Sequence, residues 1–238
     1  MQNLINFLPQ MKKLSQKNKQ LFETAILLSA GILIILLWNT WLIYPVKIFV
    51  VLLHEMSHGI SAVLTGGSIK SIEFNSYLGG QCSTLGGNEM IVASTGYTGS
   101  LVLGSLLYIF SYDKQKSIIV CTTYAVIILL FTTSFITGSF AVIFALITSV
   151  ILYVSPRFFN SIFHSYFIRF VGFSSVLYVL VDIKEDILTK DLRMTDAHIL
   201  AEITGISHLF WGLLWFVITI VVIYFLLRYG YKKGLTIK

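Results

Sequence analysis

The sequence predicts an all-α fold of the membrane type. It reads as a polytopic helical bundle of about six to seven apolar helices, with a short β-hairpin or strand-like segment after the second. Three observations carry that expectation. Hydrophobic residues make up 56% of the 238 and charged residues only 12%, about half the charge of a typical soluble domain. Mean hydropathy is +0.83. The charges are also segregated: residues 24–46, 90–112, 203–227 and 117–156 contain no Asp, Glu, Lys or Arg. About 20 apolar residues at roughly 1.5 Å rise each cross the hydrocarbon layer. Three of those runs are therefore one crossing long, and 117–156 is two. A disordered chain and most soluble folds are excluded.

Each element can be justified in chain order. Residues 1–23 form a cytosolic basic lead with Lys12, Lys13, Lys17 and Lys19. Residues 24–228 form one integral membrane domain, and 229–238 a basic tail. The first membrane helix covers 24–44, with Trp38, Trp41 and Tyr44 placed like an interfacial belt, and Pro45 breaks it. A second apolar helix spans 46–64 and stops at Thr65-Gly66-Gly67. Ser68–Phe74 alternates with period two, and glycine pairs at 79–80 and 86–87 punctuate the next stretch, a pattern that predicts strand character. Helices resume at about 90–111, 117–134, 137–154, 161–183 and 207–228. A polar connector at 184–206 holds a short helix near 197–203.

Basic residues flank both ends of the chain, the net charge is +6, and the positive-inside rule asks for both termini on one side of the bilayer. Seven crossings would separate them, so one segment does not cross, and 46–64 is the candidate. The basic residues are not interleaved with aromatics in a stripe, which speaks against a nucleic-acid partner. Cys82 and Cys121 form no CxxC, which speaks against a disulfide framework.

His54-Glu55-Met56-Ser57-His58 is an HExxH motif. Residues four apart share a helix face, so both imidazoles can bind one zinc ion (Zn2+) while Glu55 takes a proton from the attacking water. At this composition the pattern arises by chance about once in 400 such chains, which makes it a sharper signal than most short motifs. Ionisable groups at membrane depth are costly and point to function.

With that motif on an apolar helix, the chain resembles the site-2 protease-like intramembrane zinc metallopeptidases, in their compact peptidase-like membrane branch. The resemblance runs from His54–Gly59 through Thr65-Gly66-Gly67 and Ala93–Gly99 to Thr195-Asp196-Ala197, Thr204-Gly205-Ile206 and Trp211. It implies zinc as cofactor, a Glu general base and a multi-pass cell-membrane protease acting on membrane-embedded or membrane-associated protein substrates. Better-known members carry their third ligand in an Asp-Gly motif, which this sequence lacks.

A catalytic zinc takes three protein ligands and keeps one open position. Asp196 lies in the stretch that resembles the family, and Asp182 enters from a membrane helix. Asp196 ranks ahead of Asp182, with Asp186 third, and only one is expected to bind. Asp113 reads as a solvated loop residue. His198 and Glu202 form an i,i+4 pair that reads as a surface hydrogen bond or as support for the zinc ligands. His164 reads as interfacial, and His208 as a cap or an interface group. The strand at Ile69–Phe74 offers an edge for an extended substrate. Polar residues near Asn75, Ser76 and Thr84 suggest a path for water. A membrane scaffold or regulatory protein retaining the metal site without cutting is the alternative. A metal transporter is a weaker one, because the chain shows no repeated halves.

Overall fold

The computed structural model describes residues 14–188 and 195–235, with side chains left undescribed at 185–188. Residues 1–13 of the basic lead, the Asp186 side chain, Asp191 and residues 236–238 thus lie outside the described residues. The described chain forms eight helices and one hairpin, in the order α1 (Gln16–Leu36), α2 (Tyr44–Leu64), β1 (Ser68–Phe74), β2 (Gly80–Leu85), α3 (Glu89–Phe110), α4 (Lys114–Ser134), α5 (Ser139–Phe158), α6 (Ser161–Leu188), α7 (Asp196–Thr204) and α8 (His208–Lys233). All but α7 are long and apolar enough to cross a membrane, so the chain is a multi-pass membrane bundle, as the charge segregation predicted.

Local chemistry sets the boundaries. Ser15, Asn88 and Asp113 each accept a backbone N–H at the start of α1, α3 and α4, satisfying groups a helix end leaves unpaired. Asp113 is exposed in the short α3–α4 loop, as expected, and from there caps α4. α1 ends eight residues short of Tyr44, its sequence-predicted limit, because turns occupy 37–43. Pro45 sits in the first turn of α2, where its missing N–H costs nothing. Gly205, at φ +71°, ends α7 in the left-handed conformation.

Helix directions account for the topology. Leu235 N donates to Lys19 O at 3.4 Å, so the two ends of the described chain meet at one end of the bundle. Tyr112, just past α3, donates to Glu23 near the start of α1. Hence α1 leads away from that end and α3 leads back to it, and α2 between them adds no net crossing. Its surroundings agree: 78% of its most apolar stretch is buried inside the protein, against 22% for α8. α2 is sheathed by its neighbours, whereas α8 faces lipid.

The hairpin is antiparallel, with Ile72 opposite Cys82 and Phe74 opposite Gly80. It folds back along α2: Gly59 packs on Ile69, and Tyr44 donates to Ser76 O at 2.7 Å. The outer edge of β1 is occupied. Ile72 N donates to Phe135 O at 2.9 Å, and Thr137 N donates to Ile72 O at 3.0 Å. The substrate edge expected at Ile69–Phe74 is therefore engaged at its centre by the α4–α5 connection, and the hairpin's other edge belongs to β2.

A buried ion pair ties the end of the bundle where the termini meet. Glu23 is 0% exposed and Arg169 2%. Arg169 donates to Glu23 at 2.5 Å, and Tyr112 and Tyr166 donate to the two carboxylate oxygens at 2.7 and 2.9 Å. The guanidinium also reaches the Ser111 and Ser165 hydroxyls and lies 3.6 Å over the Tyr112 ring.

Candidate metal centre

The site is assembled from α2, α3 and α7. The helical repeat of α2 places His54 and His58 one turn apart, with ring centroids 4.8 Å apart. The first residue of α7 is Asp196, and its carboxylate meets both rings. Oδ2 lies 3.2 Å from His54 Nε2, and Oδ1 lies 3.3 Å from His58 Nε2. One ligand atom from each residue falls within 4.8 Å of the others.

These residues fit a metal ion. Bonds of about 2.0–2.1 Å in a tetrahedral site put ligand atoms roughly 3.3 Å apart, the spacing found between the carboxylate and each imidazole. Asp196 Oδ2 is buried and faces His54 Nε2 at 3.2 Å without the alignment of a well-made hydrogen bond. A carboxylate oxygen so placed is costly unless something else satisfies it. His58 Nδ1 lies 2.7 Å from Val92 O, so its N–H donates there and the Nε2 lone pair is left facing the cluster. His54 meets Tyr97 edge to face, and Tyr97 in turn packs on Trp215 of α8. Gly96 makes room: a Cβ there would collide with His54 Nε2 and Asp196 Oδ2.

Burial works to raise the Asp196 pKa, but His58 and His54 outweigh it and hold the carboxyl below its usual range. Asp196 is thus ionised beside the two imidazoles.

A cavity of about 620 Å³ opens beside the cluster, lined by His54, Glu55, His58, Tyr97, Asp182 and Asp196, and by Gly80–Cys82 and Thr84 from the hairpin. Glu55 is buried. Gly80 lies against its carboxylate so closely that a Cβ would overlap Oε1. Because Ile72 spends its N–H and C=O on the α4–α5 connection, the Ile72–Cys82 pair is a non-hydrogen-bonded one. The backbone groups of Cys82 therefore point to the outer edge of β2, where the Cys82 N–H meets the Glu55 carboxylate. Burial first, then the Glu55 charge, pushes the Cys82 thiol up to about 12, so it is an inert thiol at neutral pH. A second groove of about 450 Å³ adjoins the cavity and shares Gly79, Gly80 and Gln81 with it. Asn75 and Ser76 line this groove and Thr84 the main cavity, so the polar residues singled out for water access border two adjacent spaces.

The remaining sequence candidates fall elsewhere. Asp182 lines the cavity but is not among the converging ligand atoms. His198 bonds Thr195 Oγ1 at 2.9 Å and stacks on His208 at 4.5 Å, so its partners differ from the Glu202 expected. Ser207, not His208, caps α8. His164 lies in the first turn of α6, buried against its neighbours, and bonds Ser117 Oγ at 2.8 Å. The residues that sequence reasoning missed act through backbone or absence of bulk: the Val92 carbonyl, and Gly80 and Gly96. The small-residue stripe around Gly96 was visible, but its partner was not.

Bundle and cluster together are those of a site-2 protease-like membrane protein. The chain belongs to the Peptidase M50B-like family, whose model matches residues 27–226. That stretch contains α2, α3 and α7, and therefore the whole cluster. No curated protein and no solved structure matches the chain.

Proposed function

We propose that this protein is an intramembrane zinc metalloprotease of the cell membrane. It hydrolyses peptide bonds of membrane-embedded or membrane-associated protein substrates. His54, His58 and Asp196 hold Zn2+, and Glu55 is the catalytic base. One observation carries the reading: two imidazoles and a carboxylate converge within 4.8 Å, on the wall of a cavity that also contains Glu55. Two neutral nitrogens and one carboxylate oxygen suit zinc. When bound, the ion supplies Lewis-acid polarisation of the scissile carbonyl. Glu55 accepts the proton of the attacking water and returns it to the leaving amine. Packing against Gly80 keeps the Glu55 carboxylate from swinging away. The His58–Val92 contact fixes the imidazole tautomer. Surrounding helices exclude lipid, while the adjacent grooves admit water.

A protease must read an extended backbone, because a helix conceals its own amides. The outer β2 edge passes Glu55, which holds the Cys82 N–H, and the rest of that edge can pair with an unwound substrate. A substrate peptide N-methylated near the scissile bond should bind the protein more weakly than its unmethylated parent. Equal affinity would remove the edge from the account.

The decisive experiment compares wild type with Glu55→Gln. The variant should keep one zinc per chain and lose about 10²–10⁴-fold in peptide hydrolysis. A fully active Glu55→Gln protein would overturn the assignment. Stoichiometric zinc with no cleavage by the wild type would mark a regulatory or scaffolding protein instead.

A further inference from the structure

Lysine and arginine are unevenly divided between the two ends of the bundle. At the end where the chain termini meet lie Lys17 and Lys19 of α1, Lys114 and Lys116 of α4, Arg157 of α5, and Arg228, Lys232 and Lys233 of α8. At the opposite end, the described hairpin and helix ends carry Lys70 and Lys184. Lys47 is buried over the Trp38 ring and Arg169 is buried in its ion pair, so neither marks a loop. The rest of the sequence keeps the bias. Lys12 and Lys13 precede α1, and only Lys190 and Arg193 fall between α6 and α7.

The metal centre lies toward the poorer end. Gly96, which abuts His54 and Asp196, is in the second turn of α3. That is about 10 Å from the helix start at roughly 1.5 Å per residue. α3 then runs on to Tyr112 beside Glu23, at the lysine-rich end. Positive residues in short loops are retained in the cytosol, whereas acidic ones have little influence. Anionic headgroups of the cytosolic leaflet reinforce that preference.

We infer that the end where the termini meet is cytosolic, and that the cleft holding His54, His58 and Asp196 opens on the non-cytosolic face of the membrane. Polypeptide segments that reach Glu55 are then presented from that side. The statement about substrates rests on the peptidase reading, and the orientation does not.

Fusion of reporters to the unaltered C-terminus tests the orientation in bacterial cells. Green fluorescent protein should fluoresce and alkaline phosphatase should be inactive. A second measurement uses labelling by a membrane-impermeant maleimide in spheroplasts. Lys70 is exposed at an irregularity of the β1 register, so Lys70→Cys leaves the ladder intact. It should be labelled without permeabilisation, and Lys232→Cys only after it. The parent chain, with Cys82 and Cys121, sets the background. An active phosphatase fusion, or labelling in the reverse order, overturns the orientation. Both readouts work whether or not the protein hydrolyses anything, so failure of the peptidase reading is recognised separately.

Discussion

Two clusters of charged and polar side chains lie buried at opposite ends of this bundle, and they are built on opposite plans. In the Glu23–Arg169 cluster both carboxylate oxygens have hydroxyl or guanidinium donors, and the guanidinium also meets two serine hydroxyls and a tyrosine face. In the His54–His58–Asp196 cluster a buried carboxylate oxygen faces an imidazole nitrogen without a well-aligned hydrogen bond, the ligand atoms lie within 4.8 Å of one another, and a cavity opens beside them. A saturated network has nothing left to bind and serves to lock helices. An unsaturated one stays costly until a ligand completes it. Burial alone therefore does not mark a functional site in lipid. Unspent coordinating capacity does.

The sharpest way to break this contrast is to remove one carboxylate from each cluster and measure metal. Asp196→Ala should lose essentially all bound zinc, while Glu23→Gln and Asp182→Ala each retain about one ion per chain. Loss of metal in Asp182→Ala but not in Asp196→Ala would transfer the third ligand to α6.

The second comparison is of stability, and its effect is smaller. Arg169→Met leaves Glu23 buried without a counter-charge and should destabilise by about 3–5 kcal/mol, read as a lower unfolding temperature in detergent. The double variant Glu23→Gln/Arg169→Met should recover most of that loss, because it removes both charges together. A double variant as unstable as the single would show that the cluster acts through packing rather than charge.

Much of this was legible along the chain. Charge-free stretches of crossing length located the helices, because hydrocarbon penalises charge wherever the fold places it. The i,i+4 histidines were legible because a single helix fixes their spacing. So was the odd behaviour of 46–64, through the parity that two basic termini impose. Legibility stopped at contacts between elements. Arg169 reads as a stray cation in an apolar run, and Glu23 as the last acid before a membrane helix, and nothing local pairs them. Ile69–Phe74 alternates like a strand, yet alternation does not say which edge a distant loop will occupy.

By itself the sequence determined a lipid-embedded helical bundle, a one-turn histidine pair with a glutamate beside it, and a strand-like insert after them. These are properties of single segments, governed by hydropathy and by helical and strand periodicity. Only the tertiary structure decided that Asp196, rather than Asp182, reaches both rings, and that β2 rather than β1 borders the site. Each of those outcomes depends on where separate segments meet, and in a bilayer that is settled by close packing and polar satisfaction, for which hydrophobicity provides no direction.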